Sequence, residues 1–316
     1  MAFSVSEEGG LSPIIHLKDT ESGCAAEIYS FGALLNAFTI TSNGVTHNII
    51  DGFSSPQQAR ENITAGFKSA KLSPFVCRVS AGKYTYNGTE HSINKFFLGT
   101  EAIHGLIYDA PFAIKEKGAD DKNAWVILSY EYDNQREGFP FKYNTEITYS
   151  LKKGGELSLT TSVTNLSEND MPLSDGWHPY FTLGGSVNNL IIQLNAKQML
   201  EFSEKLVPTG DFIETTSFST PQKLGDTFFD NCFVVYDTQE PACIIKNEAN
   251  GLTLTITAVT GYPYLQVYTP PHRKSIAVEN LSGAPDSFNN GIGLIIGKPF
   301  EQYIFATHYK LQFEHN

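Results

Sequence analysis

Leu252-Thr253-Leu254-Thr255-Ile256-Thr257 decides the fold class. Aliphatic residues alternate with threonine without a break. A side-chain period of two places the aliphatics on one face and the hydroxyls on the other, the pattern of a strand with one buried face. The same signal recurs outward from this stretch. Residues 142–151 and 156–163 are both strand-like, and Lys153-Gly154-Gly155 between them reads as a tight hairpin turn. Tyr84-Thr85-Tyr86-Asn87-Gly88-Thr89 holds an Asn-Gly hairpin signal, and residues 125–132, 190–194, 232–236 and 264–268 add further short strands. Helical character is confined to residues 55–62, with Ser55 as N-cap and Pro56 at the first helical position. Many short strands, Gly/Pro turns and hardly any helix imply an all-β sandwich or barrel. No repeat, low-complexity tract or linker divides the sequence, so the expectation is one domain over residues 1–316 built on two large sheets.

The composition bounds the function. With 316 residues, 41% of them hydrophobic, the chain can bury a large core. The formal net charge is −12, only four of the 22 basic residues are arginine, and no basic run occurs, which argues against a nucleic-acid partner. The same scarcity argues, less strongly, against a substrate carrying phosphate, which calls for an Arg or Lys clamp. Cys24, Cys77, Cys232 and Cys243 lack metal-type spacing and read as reduced, half-buried thiols. The first eight residues combine no basic start with an apolar run, and no stretch approaches membrane-spanning length. A soluble, cytoplasmic protein with no membrane partner, monomeric or homodimeric, is the expectation.

Five segments hold residues suited to chemistry. Residues 275–278 form an apolar strand that runs into Glu279 and then into a turn containing Gly283, Pro285, Asp286 and Asn289. A carboxylate at such a strand end is either a solvated cap or a base aimed at a ligand. Trp177-His178-Pro179-Tyr180-Phe181 sets one histidine among aromatics, with Pro179 biasing His178 toward extended backbone. A core histidine satisfied by a backbone carbonyl is the competing reading. Aromatics around a polar ring also suit a sugar, whose C–H face lies on aromatic faces and whose hydroxyls need hydrogen bonds. His104 precedes Gly105, which admits a ligand or another backbone, although a solvated turn histidine would look the same. Arg78 lies in the apolar run 75–79, so its guanidinium requires either an internal carboxylate or ligand oxygens. Asp230 sits among aromatics, as a ligand-facing carboxylate or an Asx turn before a strand. The eight histidines are scattered with no ligand-pair spacing, so no metal is expected, and phosphate-loop and nucleophile-elbow signatures are missing.

Taken in order, these segments resemble the aldose 1-epimerase (galactose mutarotase) family. Residues 75–94, with Arg78, Gly82 and the Tyr86-Asn87-Gly88 turn, are similar to its Arg-containing strand and hairpin. Ile103-His104-Gly105 resembles its Leu-His-Gly, His178-Pro179-Tyr180-Phe181 its His-Pro-Tyr-Phe, and Asp230-Asn231-Cys232-Phe233 its short Asp motif. Residues 279–289 resemble its Glu-containing segment with a Pro-Asp-Ala-Phe-Asn tail. Cys77 and Pro74 stand where the family usually has Asn and a second Arg, which marks a divergent member. The resemblance implies a β-supersandwich of mainly antiparallel sheets and a sugar substrate, with no cofactor. It implies Glu279 as general base, His178 as general acid, His104 and Arg78 as groups that bind and polarise sugar oxygens, and Asp230 as acceptor of ring hydroxyls. Burial near Trp177, Tyr180 and Phe181 should raise the pKa of Glu279. A protonated His178 would need a carboxylate or a sugar contact. A hexose-phosphate mutarotase clamped by Arg78, Lys71 or Arg273, and a non-catalytic sugar binder, are the alternatives. A glycoside hydrolase is more remote, because hydrolysis commonly uses two carboxylates and one well-placed Glu is visible.

Overall fold

The computed structural model describes residues 2–133, 137–236 and 240–313; His315, one of the eight scattered histidines, lies outside them. Strand makes up 53% of the chain and helix 7%, so the all-β expectation holds, as does the β-supersandwich with antiparallel sheets. Three sheets carry the architecture.

The first grows from the hairpin read in the sequence. Strands Tyr143–Lys152 and Glu156–Asn165 pair along their whole length across the Lys153-Gly154-Gly155 turn. Both glycines of that turn have positive φ, +81° and +75°, which L side chains rarely adopt. Strand Asn123–Tyr132 adds to one side. Strand Gln302–Phe313 adds to the other and pairs in turn with Leu252–Thr260, so the sheet reaches nine strands. Leu252, Leu254 and Ile256 are fully buried, as their alternation requires.

The second sheet has eight strands in the order Pro208–Glu214, Ala196–Phe202, Asp230–Val235, Tyr264–Tyr268, Ile276–Leu281, Gly176–His178 and Ala70–Leu72, with Tyr180–Phe181 also paired to Ile276–Leu281. Its inner face packs on the nine-stranded sheet: the Trp177 ring meets Tyr149 at 5.9 Å and Phe181 meets Tyr309 at 5.4 Å between centroids. A five-stranded meander over residues 3–48, which the sequence reading did not resolve, buries Ile15, Leu17, Ile28 and Phe38 in the same core.

The local signals translate directly. Helix Pro56–Asn62 starts at Ser55, whose hydroxyl accepts the Gln58 N–H at 3.1 Å. Asn87 and Gly88 both take positive φ between strands Lys83–Tyr86 and Thr89–Ser92, the requirement of a two-residue hairpin turn. The cysteines differ from expectation. All four are unpaired and buried rather than half-buried; Cys77 and Cys232 lie under the cleft described below. Among the described residues no helix is long and apolar enough to cross a membrane.

Candidate active site

The outer face of the eight-stranded sheet floors a cleft of about 320 Å³, and the strand register says which side chains reach it. Gln266 stands opposite Glu279, and Cys232 opposite Gln266. Gly176 opposes Leu281 and Tyr180 opposes Ala277, so His178, midway between them, is the cross-strand neighbour of Glu279. One row therefore runs His178, Glu279, Gln266, Cys232 across four strands. Two residues along, on the same face, the next row runs Tyr180, Ala277, Tyr268, Asp230. Loop residues Phe67, Phe96 and Leu206, with Leu98 of the short strand Phe97–Leu98, close the sides.

All five residues singled out in the sequence line this one cleft: Arg78, His104, His178, Asp230 and Glu279. Nε2 of His178 lies 3.4 Å from Oε1 of Glu279, and both residues are almost fully buried. The His178 ring stacks on Tyr180 at 5.0 Å and meets His104 edge-on at 4.8 Å. Gln266 donates to Asp230 at 2.9 Å. No hydrogen bond or ion pair among the described residues holds the Arg78 guanidinium, which leaves it free for ligand oxygens rather than locked in an internal pair. His178 Nδ1, His104 Nδ1, Glu279 Oε2 and Gln266 Oε1 are buried and have no protein hydrogen-bond partner. Several buried, unsatisfied polar atoms converging on one cleft are what a hydroxyl-rich ligand would complete.

The loop that delivers His104 is backbone-determined. His104 adopts φ +64° and its N–H donates to the Cys77 carbonyl at 2.7 Å. Gly105 follows at φ +77°, and a Cβ there would lie 2.5 Å from the Ser73 backbone. Gly105 thus admits another backbone rather than a ligand. Phe67 and Cys77, also cleft residues, share the left-handed conformation at φ +53° and +48°. Such strain concentrates where the surrounding structure over-determines a site.

Burial sets the electrostatics. Desolvation, reinforced by the Asp230 charge, pushes Glu279 well above the ordinary carboxylate range, while Arg78 pulls it back down. Burial lowers His178 to about 4. Burial, with His178 and Arg78 nearby, holds His104 well below the usual imidazole range. Burial also raises Asp230, against Arg78 and the Gln266 hydrogen bond. Glu279 is thus the carboxyl group nearest His178, and burial favours the neutral imidazole.

Strand alternation corrects the aromatic assignment. His178 and Tyr180 face the cleft, whereas Trp177 and Phe181 face the core between the sheets. The aromatic walls are instead Phe67, Phe96, Tyr180, Phe202 and Tyr268. Two proposed cations also leave the site. Lys71 is fully buried on the inner face, paired with Asp175, and Arg273 donates to Asn188 and to the carbonyls of Gly225 and Thr227. Gln266 is the polar cleft residue that the sequence reading missed. A polar residue at the centre of the apolar strand Tyr264-Leu265-Gln266-Val267-Tyr268 was the available signal.

The family model described as aldose 1-epimerase matches residues 13–310. The chain is 30% identical over 241 residues to the uncharacterised protein YihR of Escherichia coli K12, covering 72% of this chain and 75% of that one. It is 21% identical over 262 residues to a maltose epimerase of Levilactobacillus brevis, covering 79% and 74%. Among solved structures, a galactose mutarotase-like protein from Clostridium acetobutylicum superposes with TM-score 0.86 at 19% identity, over 99% of both chains. A galactose 1-epimerase from Lactobacillus acidophilus gives 0.84 at 19% identity, again over 99% of both chains. A family match across nearly the whole length, on the fold described above, places this chain in the aldose 1-epimerase family.

Proposed function

We propose that this cleft interconverts the α and β anomers of a free aldose. The observation that carries the reading is the His178–Glu279 pair: an imidazole and a carboxyl 3.4 Å apart, buried at the base of an open cleft beside an unpaired guanidinium. Glu279 takes the proton from the anomeric hydroxyl while His178 gives one to the ring oxygen, and the C1–O5 bond breaks to leave an open-chain aldehyde. Rotation about C1–C2 and closure on the other face return both protons. Atoms and electrons balance with one acid and one base, each worth ~10²–10⁴-fold. The productive state places the shared proton on His178 rather than on Glu279. Arg78, which favours the Glu279 carboxylate, biases the pair that way. Arg78 and His104 face the sugar oxygens, and Asp230, held by Gln266, accepts from ring hydroxyls. The names of two similar proteins, a galactose 1-epimerase and a maltose epimerase, support a reducing sugar as substrate class. Four unpaired, buried cysteines fit a reducing compartment.

A phosphorylated sugar is the weaker reading, because Arg78 is left as the single Lys or Arg lining the cleft among the described residues. Polarimetry on freshly dissolved α-D-glucose, α-D-galactose and the α-anomer of maltose tests the proposal. Wild type should speed the approach to anomeric equilibrium of at least one sugar and Glu279→Gln should not. A wild type that accelerates none of them sinks the reading.

A further inference from the structure

Behind the cleft lies a second pair of charged side chains, Lys71 and Asp175, that the proposed chemistry does not use. Both are fully buried. Oδ1 of Asp175 accepts from Lys71 Nζ and from the Tyr262 hydroxyl at 2.7 Å. Lys71 Nζ also donates to Thr161 of the nine-stranded sheet at 3.0 Å and lies 4.4 Å from the centre of the Trp177 ring. The backbone of Asp175 exchanges two bonds with Ser282: its N–H donates to the Ser282 hydroxyl at 2.8 Å, and its carbonyl accepts the Ser282 N–H at 2.8 Å. Asp175 thus precedes His178 by three residues, and Ser282 follows Glu279 by three.

The strand ladder needs such a brace. Gly176–His178 is three residues long and meets the strand of Glu279 at a single register position, Gly176 opposite Leu281. Register pairing resumes at Tyr180, and between the two positions the Val278 N–H reaches the Pro179 carbonyl at a long 3.4 Å. His178 has no register partner on the strand of Glu279, although its other edge pairs with Ala70. Lys71, opposite Trp177 in register, and Asp175 supply alignment from the inner face, tied to Thr161 and Tyr262 across the sandwich. A buried ion pair is a poor stabiliser, because desolvation consumes most of its attraction, and well-packed apolar replacements are often neutral or stabilising.

We propose that Asp175 and Lys71 are positioning residues that set the His178–Glu279 separation, an inference that rests on the acid and base roles given above. The test is the double variant Lys71→Met/Asp175→Leu, compared with wild type for kcat, KM, Tm and the imidazole ¹⁵N resonances of His178. Expected is a folded protein with Tm near wild type, KM nearly unchanged and kcat lower by about 10²-fold, the scale of a misplaced catalytic group. A stable double variant with wild-type kcat overturns the proposal. Should the double variant not fold, Tyr262→Phe removes one bond to Asp175 with no change of hydrocarbon shape. A several-fold fall in kcat at constant KM then supports the proposal, and an unchanged kcat overturns it. Should wild type turn over no sugar, the role proposed for the cleft fails separately and the resonances decide. His178 signals that move in the variant while those of His47 and His272 stay support the positioning role, and unmoved His178 signals overturn it.

Discussion

His178 stands directly across from Glu279 at a point where the strand ladder between them is broken. The proposed acid and base therefore sit on neighbouring strands of one sheet rather than on separate loops, and their geometry belongs to the scaffold. Removing either should abolish turnover without unfolding the protein. Glu279→Gln and His178→Asn are each expected to lower kcat by about 10²–10⁴-fold. The double variant should be little worse than the poorer single one, because the two groups act as a unit. Polarimetry with circular dichroism as the folding control checks this; additive losses would count against a shared step.

The same burial makes the pair costly to the unliganded fold, with a definite pH signature. Glu279 titrates higher in the folded state than its ordinary 4.5, so the folded state binds the extra proton, and stability falls as pH rises above 4.5. His178 is lowered from 6.5 to about 4, so the unfolded state binds the extra proton, and stability falls as pH drops from 6.5 toward 4. Glu279→Gln should therefore melt higher than wild type at pH 7 to 8, with the gain shrinking toward pH 4.5. His178→Asn should gain between pH 6.5 and 4 and little above. Melting curves across that range read both; a destabilised Glu279→Gln at pH 8 would contradict the account.

Arg78 is the group that favours an ionised Glu279. Arg78→Met should raise KM and move the acidic limb of kcat/KM to higher pH, since a carboxyl without its cation gives up its proton later. Arg78→Lys should restore the limb in part, because a point charge replaces the planar fork. A pH profile of the three proteins decides; an unmoved limb in Arg78→Met would remove its electrostatic role.

The proposed preference for an unphosphorylated sugar rests on the cations of the cleft. One guanidinium faces Asp230 and Glu279 in the cleft, and Lys71 and Arg273 are committed elsewhere. Glucose should be turned over with a higher kcat/KM than glucose 6-phosphate, and added inorganic phosphate should compete poorly. Competition assays followed by NMR of the anomeric protons test both, and a preference for the phosphorylated sugar would reverse the assignment.

Much of this was legible because it is local. A period of two, the Gly154-Gly155 and Asn87-Gly88 turns and the Ser55 cap are written in adjacent residues, and the structure uses each as read. The five site residues were legible as a set only through their order along the chain and the family it resembles; distance in sequence hides that they share a cleft. What stayed hidden depends on facing. Trp177 and Phe181 looked like cleft aromatics because they flank His178, yet alternation turns them inward. Lys71 looked like a clamp because charge suggests solvent, yet Asp175, 104 residues away, holds it in the core. Gln266 is marked as a site residue by register, which sets it opposite Glu279, and not by its sequence neighbours.

The strand Gln302–Phe313 joins the two halves of the nine-stranded sheet, pairing with Glu156–Asn165 on one side and Leu252–Thr260 on the other. During synthesis the hairpin of residues 143–165 thus emerges with one long edge open, and its mate leaves the ribosome only after residues 166–301. An open, β-branched edge is an aggregation template, and such distant pairing makes folding slow. Nascent chains stalled before residue 302 should bind chaperones and yield to protease across residues 143–165, whereas chains extended past residue 313 should resist; protection already present in the shorter chains would show that the sheet closes without its keystone.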